Sequence, residues 1–210
     1  MDVTEMRAQV GQATQGDGTK DILRLTRNLA LLGANSQSAF QAAVERGNVF
    51  AVANQAGVTS QAGLSATTPV LTLANPAGSG KNLILWYAGA SFTVAFATAG
   101  AIFAAVGTNT IAAAVTGTKT TAHRNLKLGG GEPSIVPLLA ATLPAAPVAV
   151  GILGAGLTGA ITTIPGVPSY ERWFNGSIII TPGTNFSLQT GVASGASGMF
   201  CEYVWEEVNA

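Results

Sequence analysis

Charge, cysteine and histidine are all scarce in this chain. Asp, Glu, Lys and Arg make up 10% of its 210 residues, ten basic against ten acidic, so no global field draws nucleic acid or an anionic membrane surface. One cysteine, Cys201, excludes a disulfide within the chain. Together with one histidine, His123, it cannot furnish a zinc cage from those residue types. The opening residues, MDVTEMRAQVGQ, lack the basic start and apolar core of a secretory signal, so synthesis in the cytosol is expected.

The few charges are unevenly placed. Ten of the twenty lie between Asp2 and Arg46, and none falls from Asn82 to Thr118 or from Pro133 to Tyr170. This pattern divides the chain into a polar arm, 1–47, and an apolar body, 48–210. The run LILWYAGASFTVAFATAGAIFAAV, 83–106, reaches the roughly 20 apolar residues that a spanning helix needs. Gly89, Ser91, Thr93 and Thr98 interrupt it, however, and basic flanks are sparse. The second uncharged stretch carries six prolines between Pro133 and Pro168, which a helix tolerates poorly. No membrane span is expected.

The body reads as strands. Runs at 69–74, 81–88, 91–97, 100–106, 176–181, 185–190 and 199–208 are short, β-branched or aromatic, and mostly bounded by Gly, Pro, Asn or Ser. Such spacing predicts an all-β chain, an antiparallel β-sandwich or barrel. In the last run Phe200, Glu202, Val204 and Glu206 alternate with Met199, Cys201, Tyr203, Trp205 and Glu207, which makes Tyr203 and Trp205 anchors of a core or an interface. TPGTN, 181–185, is a turn, with Pro182 presetting φ and Gly183 accepting φ > 0, and a hairpin is expected around it. Alanine and glycine fill much of the remainder and bury little area each. A subunit interface is therefore expected to supply further burial, in a homotrimer.

The arm is ambiguous. Ile22, Leu25, Leu29 and Leu32 sit at helical spacing within 19–33, yet ILRLT alternates like a strand. Residues 38–46 suit a helix that Gly47 ends, and the Gly-, Gln- and Thr-rich segment before Lys20 suits an extended chain ordered by contact with a partner.

Four patterns imitate chemistry. Gly154, Gly156 and Gly159 have dinucleotide-binding spacing and Glu171 lies near the distance of a ribose-binding acid, but Pro165 and Pro168 leave barely one helical turn for the pyrophosphate. That stretch reads as a Gly-rich loop between strands. Gly80-Lys81 imitates a phosphate loop, yet Asn75 occupies its first glycine position and Asn82 its magnesium-holding hydroxyl position, so a turn with a solvated Lys81 is expected. His123 has no Gly-x-Ser-x-Gly elbow to serve, and with Arg124 and Lys127 it reads as an exposed basic loop within 118–133. Glu202, Glu206 and Glu207 resemble paired glycosidase acids, but none of the other expected strands supplies an acid, so they read as a solvated edge. No catalytic, cofactor-binding or metal-binding residue is assigned, and the chain is not expected to be an enzyme.

Three segments carry a resemblance: ERGNVFAVANQAGVTS at 45–60, LANPAGSGKNLILW at 73–86, and MFCEYVWEEV at 199–208. Together they resemble a group of tailed-bacteriophage virion proteins in which a short arm precedes a sandwich of jelly-roll type. The similarity covers about 40–90 and the C-terminal strand, and residues 1–40 and 107–165 contribute nothing to it. No catalytic residue belongs to the pattern. The resemblance implies a virion structural protein, assembled in the bacterial host cytoplasm, that decorates or cements the head as homotrimers gripping the major capsid protein through the arm. An alternative is a receptor- or glycan-binding fibre or tail protein, with its host glycan contacted by the 118–133 loop through His123 and Arg124.

Overall fold

A computed structural model of the chain describes residues 7–9, 20–22, 38–93, 100–156, 169–193 and 198–210. The chain forms two compact units, Met1–Ser38 and Ala39–Ala210. In the first, strand β1 (Arg7–Gln9) pairs antiparallel with β2 (Lys20–Ile22). Of the ambiguous run 19–33, residues 20–22 are therefore strand, and the rest lies outside the described residues.

The second unit opens with a short helix, α1 (Ala39–Glu45), which gives way at Gly47 in the left-handed region (φ 77°). Among the described residues eleven strands follow: β3 (Val49–Ala53), β4 (Leu71–Asn75), β5 (Lys81–Phe92), β6 (Gly100–Thr108), β7 (Thr116–Lys119), β8 (His123–Asn125), β9 (Leu138–Thr142), β10 (Val148–Gly156), β11 (Ser169–Ile180), β12 (Thr184–Thr190) and β13 (Met199–Asn209). Within the apolar run 83–106, residues 83–92 and 100–106 are thus strand rather than helix, and no helix among the described residues is long and apolar enough to cross a membrane. The expected strand 91–97 is not separate. Ser91 and Phe92 finish β5, Thr93 bends the chain, and 94–97 lie outside the described residues.

The strands form two antiparallel sheets, one ordered β10-β6-β12-β4-β9-β7 and the other β11-β5-β13-β3-β8. Leaving aside β7 to β9, strands consecutive in the chain lie in opposite sheets except β6 and β10, which pair directly. The sets β11-β5-β13-β3 and β10-β6-β12-β4 are the two sheets of an eight-stranded jelly roll. The segment between β6 and β10 extends both sheets on one side, adding β9 and β7 beyond β4 and β8 beyond β3. The turn at 181–185 forms as expected, with Gly183 at φ 84° and the Thr184 amide donating to the Thr181 carbonyl at 3.1 Å. It makes no hairpin, because β11 and β12 belong to different sheets.

The core lies between the sheets. Leu83, Leu85 and Phe92 of β5 and Met199, Tyr203 and Trp205 of β13 meet Leu71, Leu73, Ile102, Phe186 and Leu188 from the facing sheet. The alternation read in β13 is realised, with Met199, Cys201, Tyr203 and Trp205 all buried. Edge-to-face rings bridge the layers, Phe174 to Phe186 at 6.0 Å and Phe186 to Tyr203 at 5.4 Å.

The Tyr203 hydroxyl completes the junction. The β4–β12 ladder runs from Thr184↔Asn75 to Ser187↔Thr72. One step on, the Leu188 amide donates to the Tyr203 hydroxyl at 2.9 Å, and that hydroxyl donates to the Leu71 carbonyl at 2.8 Å. A side chain of one sheet thereby occupies the next rung of the other, satisfying two backbone groups that burial would leave costly.

Glycine lets β10 and β11 close one side of the sandwich. A Cβ at Gly154 would run into the Tyr170 ring, and one at Gly151 would stand 2.9 Å from Arg172 Nη1. Tyr170 then donates its hydroxyl proton to the Ala155 carbonyl. The expectation of a loop here is corrected: Gly154 and Gly156 lie in strand β10, with Gly151 and Gly154 serving as floors for β11 side chains, while Gly159 lies outside the described residues.

Tyr203→Phe keeps the ring and removes both cross-sheet bonds. It is expected to cost about 1–3 kcal/mol, lowering Tm by roughly 3–10 °C in a thermal melt. An unchanged Tm would count against the bridging role.

Candidate functional site

The outward face of the five-stranded sheet gathers three carboxylates and three aromatic rings. Its geometry starts from Gly89 at the middle of three strands, which pairs with Glu171 on β11 and with Glu202 on β13. The two acids therefore share a face, one on each side of a residue without a side chain. A Cβ at Gly89 would lie 2.7 Å from both the Glu202 carboxylate and the Tyr87 hydroxyl, so these groups lie flat across the strand only because glycine is there.

A bulge supplies the aromatic part. Val204 pairs with Tyr87 but Trp205 pairs with Leu85, so Trp86 is an extra residue on β5. Trp86 and Tyr87 both reach groups on the outward face, while Leu85 and Ala88 on either side are buried inward. The Tyr87 hydroxyl lies 2.7 Å from Glu202 Oε1 and 3.1 Å from Glu171 Oε2. It has one proton, so it serves one carboxylate at a time. Trp173 packs on Tyr87 with centroids 5.1 Å apart and remains 54% exposed. Phe40 of α1 contacts Trp86 at 5.2 Å and Trp173 at 5.7 Å, which fixes the helix on this face.

Glu206 lies on the same face, beneath the helix. It is buried and accepts from Arg46 Nη2 at 2.9 Å and from the Trp86 indole N–H at 3.3 Å. Glu207 points the other way, is also buried, and receives the Ser134 and Ile135 amides at 2.9 Å each. The expectation of a solvated edge at Glu202, Glu206 and Glu207 is corrected: Glu202 alone is exposed, and none of the three lies at an edge. Strand β13 is the centre of its sheet, and the other two carboxylates fasten α1 and the β7–β9 segment to it. Glu171 was missed as the partner of Glu202 because its strand was expected to start at 176. The alternation of Tyr170, Arg172 and Phe174 with Glu171 and Trp173 was the signal for an earlier start.

The other expected features fall elsewhere. His123 is buried rather than exposed. Its Nε2 lies 2.8 Å from Glu132 and its Nδ1 lies 3.0 Å from the Thr120 carbonyl, while Arg124 and Lys127 are exposed. The segment around Lys81 is the expected turn. Asn75 Nδ2 donates to the Lys81 and Ile180 carbonyls at 2.7 and 2.9 Å, and Lys81 Nζ reaches Asn209 at 2.9 Å. No group of three or more His, Cys, Asp or Glu side chains suited to a metal ion occurs among the described residues.

The site can therefore hold a ligand by an exposed indole face bordered by hydrogen-bond acceptors. Comparison with family models, curated proteins and solved structures yields no match for the chain.

Three groups among the described residues bind their protons more tightly in the fold than outside it. Desolvation, then the bonds and negative charge of Glu202 and Glu171, raises Tyr87 well above the ordinary 10. Burial raises Cys201 above 9 and Tyr203 above 10. Each is neutral when protonated, so the stability it confers is complete below its unfolded value and is lost as pH rises past it. Melting temperature is expected to hold level up to about pH 9 and then to fall, with Tyr87→Phe less steep. A level profile from pH 8 to 11 would contradict this.

Proposed function

We propose that the chain is a structural protein of a tailed-bacteriophage virion, a head decoration or cement protein that binds the major capsid protein and acts without catalysis. The observation that carries this reading is the eight-stranded jelly roll, an architecture used in viral shells and lectins. Fold alone leaves function open. The segments 45–60, 73–86 and 199–208 that resemble virion proteins add weight, and they lie in or beside β3, β4, β5 and β13.

In this reading the second unit is the body on the particle surface and residues 1–38 form the gripping arm. Homotrimers multiply the attachment, since three linked arms raise avidity far above that of one. Backbone pairing along two sheets and a close-packed core suit a shell component exposed to shear and proteolysis.

A second reading, glycan binding by a fibre or tail protein, is favoured by one observation: Trp173 is exposed beside Tyr87, Glu171 and Glu202. A pyranose ring has an apolar C–H face that stacks on an indole and hydroxyls that donate to carboxylates. This relocates the expected glycan contact, because buried His123 cannot offer its ring to a ligand at the surface.

Two experiments separate the readings. Full-length protein is expected to co-sediment with heads of the virus that carries its gene, while a variant lacking residues 2–38 stays soluble and unbound. Normal occupancy by the truncated form would reject the arm mechanism, and failure of the full-length chain to sediment would reject the decoration role. On a glycan array, a signal abolished by Trp173→Ala and retained by His123→Ala would establish the second reading, and a blank array would remove it.

A further inference from the structure

Two carboxylates on the outward face of the five-stranded sheet have no cation. Glu171 and Glu202 are exposed, and among the described residues Tyr87 is the one side chain bonded to either. Both bonds end on the same hydroxyl oxygen, at 3.1 and 2.7 Å, so the two accepting oxygens are no farther apart than those lengths laid end to end. A single phenol proton therefore stands between two groups of like charge. Basic side chains are engaged elsewhere: Arg46 with Glu206, Arg124 with the Thr121 and His123 carbonyls, and Lys127 with the Glu45 carbonyl. Arg172, between Glu171 and Trp173 in β11, turns to the inner side and lies over the Phe174 ring at 5.1 Å.

The aromatic surface beside this pair points to the same kind of ligand. Gly89 lies between the two acids without a side chain, and exposed Trp173 packs on Tyr87. A ligand settling on this face meets carboxylate oxygens and an indole from one direction. Indole faces attract organic cations as well as C–H groups. A neutral hydroxyl offers one proton and no charge, whereas an ammonium offers three protons and a full charge, enough to bond both carboxylates at once and to relieve their mutual repulsion.

We propose that this face selects a saccharide with a free, protonated amine, its ammonium seated between Glu171 and Glu202 and its ring on Trp173. The inference rests on the glycan-binding reading and names the class of glycan. An acetylated amine keeps one N–H and loses its charge, so it can serve only one of the two carboxylates and without charge assistance. Because both carboxylates are exposed, salt screens the attraction and affinity falls as ionic strength rises.

The test is calorimetric titration of the full chain with a glucosamine hexamer and with its fully N-acetylated counterpart, in mildly acidic, low-salt buffer where the sugar amines are protonated. The glucosamine hexamer is expected to bind more tightly by roughly tenfold or more. E171Q and E202Q, close in shape to the wild type, are each expected to reduce that preference, and E171Q/E202Q to abolish it. W173A weakens both hexamers, while E132Q, which alters an exposed acid paired with His123, leaves the preference intact. The single variants keep the test informative should the double variant misfold. Equal affinity for the two hexamers, an unchanged preference in the folded glutamine variants, or an equal loss in E132Q would overturn the proposal. If the acetylated hexamer binds as tightly and W173A abolishes its binding, glycan recognition stands and selection for the amine fails; if neither hexamer binds, both fail.

Discussion

The architecture depends on how two antiparallel sheets of mostly small residues are held in one register. Tyr203 provides the most specific tie. Its ring fills the space between the layers, and its hydroxyl stands where the next rung of the β4–β12 ladder would form, bonded to Leu188 and Leu71. Hydrophobic burial alone is non-directional and would allow the sheets to slide. Two hydrogen bonds from one side chain to two strands of the facing sheet fix their relative placement. Asn75 acts likewise at one end of the sandwich, where its amide joins the end of β4 to the carbonyls of Lys81 and Ile180.

Glycine provides the complementary device. Gly154, Gly151 and Gly89 each leave room that a larger neighbour occupies, namely the Tyr170 ring, the Arg172 guanidinium, and the Tyr87 and Glu202 side chains. The first two draw the sheets together at the β10–β11 side. The third creates the carboxylate and aromatic surface on the outward face. The same absence of a Cβ thus serves closure in one place and display in another, and both follow from strand pairing.

The general class of fold was legible because strand periodicity is local. The alternation in 199–208 correctly separated Tyr203 and Trp205 from Glu202. Strand β10 escaped recognition because VGILGAG is poor in residues that favour strands on their own, and its pairing with β6 overrides that weakness. Glu206 and Glu207 were misplaced for a related reason. Their burial depends on Arg46, Trp86 and the 134–135 backbone, all more than 70 positions away in the chain. The Glu171–Gly89–Glu202 row likewise exists only once three strands are in register, and the extra residue at Trp86 that turns the aromatics outward leaves no mark in the local pattern.

The most direct measurement of the central tie is amide hydrogen exchange at Leu188 in the native protein. Its N–H bonds to the Tyr203 hydroxyl in place of the next β4–β12 rung, so its protection reports on that side chain. If Tyr203 locks the sheets together, that amide exchanges only through global unfolding, at the same free energy as the slowest amides of β5 and β13. Exchange of Leu188 through local opening, while β5 and β13 remain protected, would contradict it.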